Sequence, residues 1–145
     1  MSIEPFAESD RDDIIGLLSE AKLPTEDLNT QTLQNFLVAK EGIGTTVGAV
    51  GVELYGETGL LRSLVVHLSY RGRGLGKQLT NEIEAYAREM GVKTLFLLTM
   101  TAADFFPRLG YRQTQRSNVP RSIAETFEFK SACPVSAVCL YKNLG

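Results

Sequence analysis

Apolar and polar positions change rhythm several times along the chain, and each change predicts an element. Residues 3–6 read as a short first strand. Ser9 suits a helix N-cap, with Asp10, Asp12 and Asp13 near the positive end of the dipole. Ile14, Leu17, Leu18 and Ala21 then recur at helical spacing until Pro24 stops the run. A second short helix is expected around 26–32. Phe36-Leu37-Val38-Ala39 reads as a strand, Gly42-Ile43-Gly44 as a turn and residues 46–54 as another strand. Gly56 and Gly59 bracket the next turn. Residues 60–68 are apolar almost throughout, the pattern of a strand buried on both faces.

A long helix follows a glycine-rich loop. Its apolar stripe is Leu75, Leu79, Ile83, Tyr86, Ala87 and Met90, with Lys77, Glu82, Glu84, Arg88 and Glu89 facing outward. Gly91 is the expected C-terminal cap. Then come a buried strand at 94–99, a short helix at 102–109 ended by Gly110, and a strand at 111–114. Residues 117–134 are irregular, with one helical turn at 121–126, before a last strand at 135–141. The middle of the chain is strand–loop–helix–strand, a βαβ unit, and the first half can pair as hairpins. The expected class is α/β: one domain, 1–145, with a mixed sheet covered by helices.

Composition narrows the function. The 145 residues carry a net charge of −2, with 43% hydrophobic and 22% charged positions. Such a balance gives no reason to expect nucleic acid or an anionic membrane as partner. No apolar run approaches a membrane span, and residues 1–5 lack the features of a signal peptide, so a cytoplasmic protein is expected. Cys133 and Cys139, with His67 as the single histidine, are too few soft ligands for zinc, and no metal is expected.

The chemistry concentrates in Arg71-Gly72-Arg73-Gly74-Leu75-Gly76-Lys77, between a buried strand and a helix start. Glycines let the backbone approach a ligand, and the first amides of the helix have no internal partners. Arg71, Arg73 and Lys77 add positive charge, so a pyrophosphate is the expected guest. A Walker A loop is excluded: three residues separate Gly72 from Gly76, and Gln78 follows the lysine. A dinucleotide fingerprint is excluded because Lys77 takes its third glycine place. What fits is Arg/Gln-x-x-Gly-x-Gly/Ala, filled by Arg71, Gly74 and Gly76.

With Leu64-Val65-Val66 before the loop and Phe105-Phe106-Pro107-Arg108-Leu109-Gly110-Tyr111 downstream, the chain resembles the GNAT acetyltransferases. The resemblance implies acetyl-CoA as co-substrate and two central parallel strands that splay apart. Backbone of Leu64, Val65 and Val66 would bind pantetheine, amides from Gly72 to Lys77 the pyrophosphate, and an amide near Val66 the thioester carbonyl. Thr99 and Phe106 would also border the cofactor. Phe106 stands where many members have an acid tyrosine, so either another group such as Tyr111, Tyr141 or a water protonates the thiolate, or the thiolate leaves unaided. Glu53 is the candidate base, its alternative being an exposed strand carboxylate. One of Arg62 and Ser63 should face the cleft by strand alternation. Arg62 would then bind a substrate carboxylate or, alternatively, form a surface salt bridge.

Leu97-Leu98-Thr99-Met100-Thr101-Ala102 is similar to the segment in acetylglutamate-synthase-type GNAT domains. The tail, including Glu128-Phe129 and Cys133-Pro134-x-Ser136, resembles small GNAT proteins encoded beside arsenic-resistance genes. A small amino-acid-like or toxic amine is the acceptor this implies, for a monomer or homodimer. Cys133 and Ser136 then either line the acceptor pocket or only lead into the last strand. A non-catalytic CoA-binding module and a protein N-acetyltransferase are the competing readings.

Overall fold

The computed structural model describes all 145 residues, Met1–Gly145. Seven strands form one mixed sheet: β1 (Ser2–Pro5), β2 (Phe36–Glu41), β3 (Thr45–Tyr55), β4 (Thr58–Val66), β5 (Thr94–Thr99), β6 (Arg112–Thr114) and β7 (Val138–Asn143). Their order is β1-β2-β3-β4-β5-β7-β6. The helices are α1 (Arg11–Glu20), α2 (Thr30–Leu33), α3 (Leu75–Glu89) and α4 (Arg121–Ala124). None is long and apolar enough to cross a membrane. The chain divides into two compact units, Met1–Val52 with Ser63–Tyr86, and Glu53–Arg62 with Ala87–Gly145.

In the first unit β1, β2 and β3 pair antiparallel, and Phe36 lies opposite Gly51. The apolar faces of α1 and α2 close over Phe36, Val38, Ala49 and Val65. Asp10, not Ser9, caps α1. Asp10 is only 3% exposed; its carboxylate makes no bond to the α1 amides but accepts from the Ala7 N–H at 2.9 Å and pairs with Lys40. That bond holds the Lys40 ammonium above its usual pKa range. α1 ends before Pro24 is reached, and Lys22 turns the chain at φ 60. α2 starts later than expected because the Asn29 side chain caps it, accepting from the Thr32 N–H at 2.9 Å.

Leu75, Leu79 and Ile83 of α3 are buried as the stripe requires. Two residues depart from the pattern. Glu84 is buried, at 3% exposure, rather than outward, and Met90 is exposed. Met90 falls past the helix end, where Gly91 at φ 91 lets the Val92 N–H return to the Ala87 carbonyl at 2.9 Å.

In the second unit β4 and β5 are parallel over Thr58↔Thr94, Gly59↔Leu95 and Leu60↔Phe96. Gly59 is therefore a strand residue, and the turn before β4 rests on Gly56 at φ 68. Beyond Leu60↔Phe96 the parallel register stops, while β5 stays paired with β7 out to Thr99↔Val138. Leu60, Phe96, Ile123, Phe129 and Cys139 form this unit's core. In place of a helix over 102–109 there is a 3-10 turn, Phe106–Leu109, ended by Gly110 at φ 96. The stretch read as irregular also contains a wide π-type turn, Glu128–Ala132. The last strand begins at Val138 because Ala137 still bonds back to Pro134 in a turn.

Candidate active site

β4 leads into the loop through a 3-10 turn, Leu68–Tyr70, capped by the His67 ring, whose Nδ1 accepts from the Ser69 N–H at 3.0 Å. His67 is thus a structural cap. Gly72 and Gly74 both adopt φ 80, a conformation that other L-residues rarely take. They turn the backbone into α3 at Leu75. The first helical bond is Gln78 N–H to Gly74 at 3.0 Å, so the amides of Leu75, Gly76 and Lys77 precede the ladder. The helix dipole adds partial positive charge there. Arg71, Arg73 and Lys77 flank this turn, with Arg71 and Arg73 exposed.

Two of those cations also brace the loop. Arg71 Nε donates to the Val66 carbonyl at 3.1 Å, tying loop to strand. Arg73 stacks over the Tyr70 ring at 5.2 Å. Leu64 and Val66 are partly exposed on β4, whereas Val65 packs into the core. The loop thus leaves the N–H groups of Leu75, Gly76 and Lys77 without partners in the helix ladder, beside three cationic side chains.

Strand alternation fails at Arg62 and Ser63. Ser63 has φ 59, left-handed backbone within a strand, and both residues are buried. At this kink simple alternation no longer decides which of the two faces the cleft. Arg62 is also not at the sheet surface. Its side chain is fully buried, with Nη1 2.8 Å from Glu53 Oε2 and Nε 3.5 Å from Glu128 Oε2. Tyr55 Oη donates to Glu53 Oε1. Glu53 is accordingly a braced carboxylate and not a loose surface group. Its side chain keeps 16% exposure, against 5% for Glu128. In the sequence Glu128 stands out only as part of the tail pattern. The further signal there is an acid flanked by Phe127 and Phe129, an apolar setting where a carboxylate needs a partner.

Phe106 and Tyr111 are both buried, with ring centroids 5.4 Å apart edge to face, and Lys142 Nζ lies 5.5 Å over the Tyr111 ring. The Thr99 hydroxyl accepts from the Ala102 N–H at 2.9 Å, closing the turn after β5. Ser136 is exposed, its Oγ 4.0 Å from Met100 Sδ. Cys133 is half-buried, and its N–H bonds the Glu128 carbonyl at 3.0 Å.

Burial, reinforced by Glu128 at Cys133, pushes the Cys133 thiol up to about 11, and burial does the same for Cys139. Both are protonated near neutrality and are poor nucleophiles. Iodoacetamide is expected to label the native protein about ten- to a hundredfold more slowly than a free thiol, with the rate rising as pH approaches the raised values. Rapid labelling of native Cys133 at neutral pH would contradict this.

Comparison with known proteins agrees with the fold. The acetyltransferase (GNAT) domain family matches residues 32–113, more than half of the chain. An amino-acid acetyltransferase of Pseudomonas syringae pv. tomato is 32% identical over 105 residues, covering 72% of this chain and 24% of that protein. The chain thus spans about a quarter of the length of the curated relatives it matches. Among solved structures, N-acetylglutamate synthase from Neisseria gonorrhoeae, complexed with coenzyme A and N-acetyl-glutamate, superposes at TM-score 0.86 with 18% identity, over 99% of this chain and 35% of that one. Rv2747 from Mycobacterium tuberculosis, in complex with CoA, superposes at 0.83 with 19% identity and 99% of both chains covered. The chain belongs to the GNAT acetyltransferase domain family, a family of acetyl-CoA-dependent acyltransferases.

Proposed function

We propose that this chain transfers the acetyl group of acetyl-CoA to the amine of a small, amino-acid-like acceptor by direct attack. The observation that carries the reading is the loop from Gly72 to Lys77, with two left-handed glycines opening a fifteen-residue helix. Its amides take the diphosphate, and the backbone of Leu64, Val65 and Val66 carries the pantetheine arm. An amide near Val66 stabilises the oxyanion that forms on the thioester carbonyl.

An alkylammonium has a pKa of about 10 and an α-ammonium about 8, so the acceptor must lose a proton before it attacks. Glu53 is the proposed base. A carboxylate has about four lone-pair sites, so each oxygen can accept from an amine or water beside its present partner. The nitrogen bonds to the thioester carbon, the tetrahedral adduct expels the thiolate, and a proton returns to sulfur. With Phe106 unable to donate, Tyr111 or a water supplies that proton.

The likeness to amino-acid acetyltransferases supports an amino-acid acceptor. The tail pattern extends the candidates to an amino-acid-like organoarsenical, and the acetyl-CoA requirement suits a cytoplasmic setting. Calorimetry with acetyl-CoA, followed by CoA release on a panel of amino acids, amines and peptide N-termini, tests the proposal. Saturable binding and turnover of at least one amino acid are expected. Binding without turnover on any amine would favour a CoA-binding module instead. No saturable binding would remove the assignment altogether.

A further inference from the structure

We propose that Arg62 and Glu128 are positioning residues for the transfer, holding the Glu53 carboxylate in one orientation toward the acceptor amine. The inference rests on the reading of Glu53 as the base. All three residues belong to one unit, on β4, on the π-type turn Glu128–Ala132 and on β3 respectively. Exposure rises in the order Arg62, Glu128, Glu53, at 0%, 5% and 16% of each side chain. The partly exposed carboxylate is therefore the outward member of the cluster, and the other two lie behind it.

The terminal torsion of a glutamate is broad, so an unbraced carboxylate rotates freely. Here its two oxygens are held by different groups, Oε2 by Arg62 Nη1 and Oε1 by Tyr55 Oη. A guanidinium is planar, so fixing Nε also fixes where Nη1 points. Glu128 Oε2 supplies that second fixed point, 3.5 Å from Nε. The turn that carries Glu128 is itself anchored. Arg116 donates from Nη2 to the Phe129 carbonyl and from Nη1 to the Pro134 carbonyl, both at 2.7 Å, and lies 5.4 Å over the Phe129 ring. Restraint passes from Arg116 through the turn to Glu128, then to Arg62 and Glu53.

The test is a double-mutant cycle with Glu53→Gln, Glu128→Ala, Glu128→Gln and the Glu53→Gln/Glu128→Ala double variant. Turnover is measured with acetyl-CoA and the panel amino acid turned over fastest, and acetyl-CoA affinity by calorimetry. Glu128→Ala is expected to lower kcat about ten- to a hundredfold, the scale of a misplaced catalytic group, with acetyl-CoA affinity unchanged. Glu128→Gln, which keeps an oxygen facing Nε, is expected to recover much of that loss. In the Glu53→Gln background, Glu128→Ala should cost nothing further, because its effect runs through Glu53. Additive losses would overturn the positioning role while leaving the base intact. So would wild-type kcat in Glu128→Ala, or a loss shared equally with acetyl-CoA affinity. Full turnover in Glu53→Gln would overturn the base assignment and the positioning role with it. Should Glu128→Ala fail to fold, the same cycle run with Glu128→Gln separates the same outcomes on a smaller loss.

Discussion

Gly74→Val is expected to weaken acetyl-CoA binding about a hundredfold or more while leaving the fold in place. Position 74 has φ 80, and a Cβ built there meets nothing within 4 Å. The added Cβ therefore collides with nothing. The cost that applies whatever the space is conformational: a left-handed backbone is disfavoured for an L-residue by about 1–2 kcal/mol and more for a β-branched one. The loop relieves that strain by rotating, which withdraws the amides it presents. Hydrogen bonds to a charged group contribute about 1.5–3 kcal/mol each, so losing two gives at least about 3 kcal/mol, or roughly a hundredfold in affinity. Gly74→Asn is the control, because asparagine tolerates left-handed backbone, and it should bind nearly as the parent does. Calorimetry reads both, and a thermal melt confirms folding. Unchanged affinity in Gly74→Val would mean the diphosphate does not depend on this turn.

Gly51→Ala is expected to lower the melting temperature by about 10 °C, with the loss appearing in stability and not in a defined kinetic step. Gly51 sits opposite Phe36 across β2 and β3, and a Cβ there would come within 2.2 Å of Phe36 Cε1 and 2.5 Å of Cδ1 and Cζ. Phe36 is only 1% exposed, so its ring has nowhere to go. Overpacking of this kind costs about 1–3 kcal/mol or more, and each kcal/mol moves the midpoint by about 2–5 °C in a chain of this size. Phe36→Leu in the same chain should return part of the loss, since the two sites share one space. A melting temperature within a degree or two of the parent would show that the ring yields at no cost.

Much of this architecture is readable in the residues themselves. The βαβ unit at β4, α3 and β5 follows from an apolar run, a glycine loop and a helical stripe, each carrying its own period. The glycine loop is legible because three glycines fall within five residues between an apolar run and a helical stripe. What stays hidden depends on contacts between residues distant in sequence. Glu84 reads as solvent-facing from its charge but is buried, and charge alone does not reveal that. Arg62 and Glu53 stand nine residues apart, yet their pairing, and its link to Glu128, exists only once the strands and the π-type turn are assembled. Periodicity also assumes that alternation continues, and a single left-handed Ser63 breaks it without any glycine to warn of the break.

That serine marks a division of labour within one strand. Leu60, before it, contributes to the interior formed with Phe96, Ile123, Phe129 and Cys139, whereas Val65, after it, contributes to the interior beneath α1 and α2. Each half of β4 answers to its own set of neighbours. Substitutions around Ile123 and Phe129 therefore act first on the neighbours of Leu60, and those around Phe36 and Val38 on the neighbours of Val65.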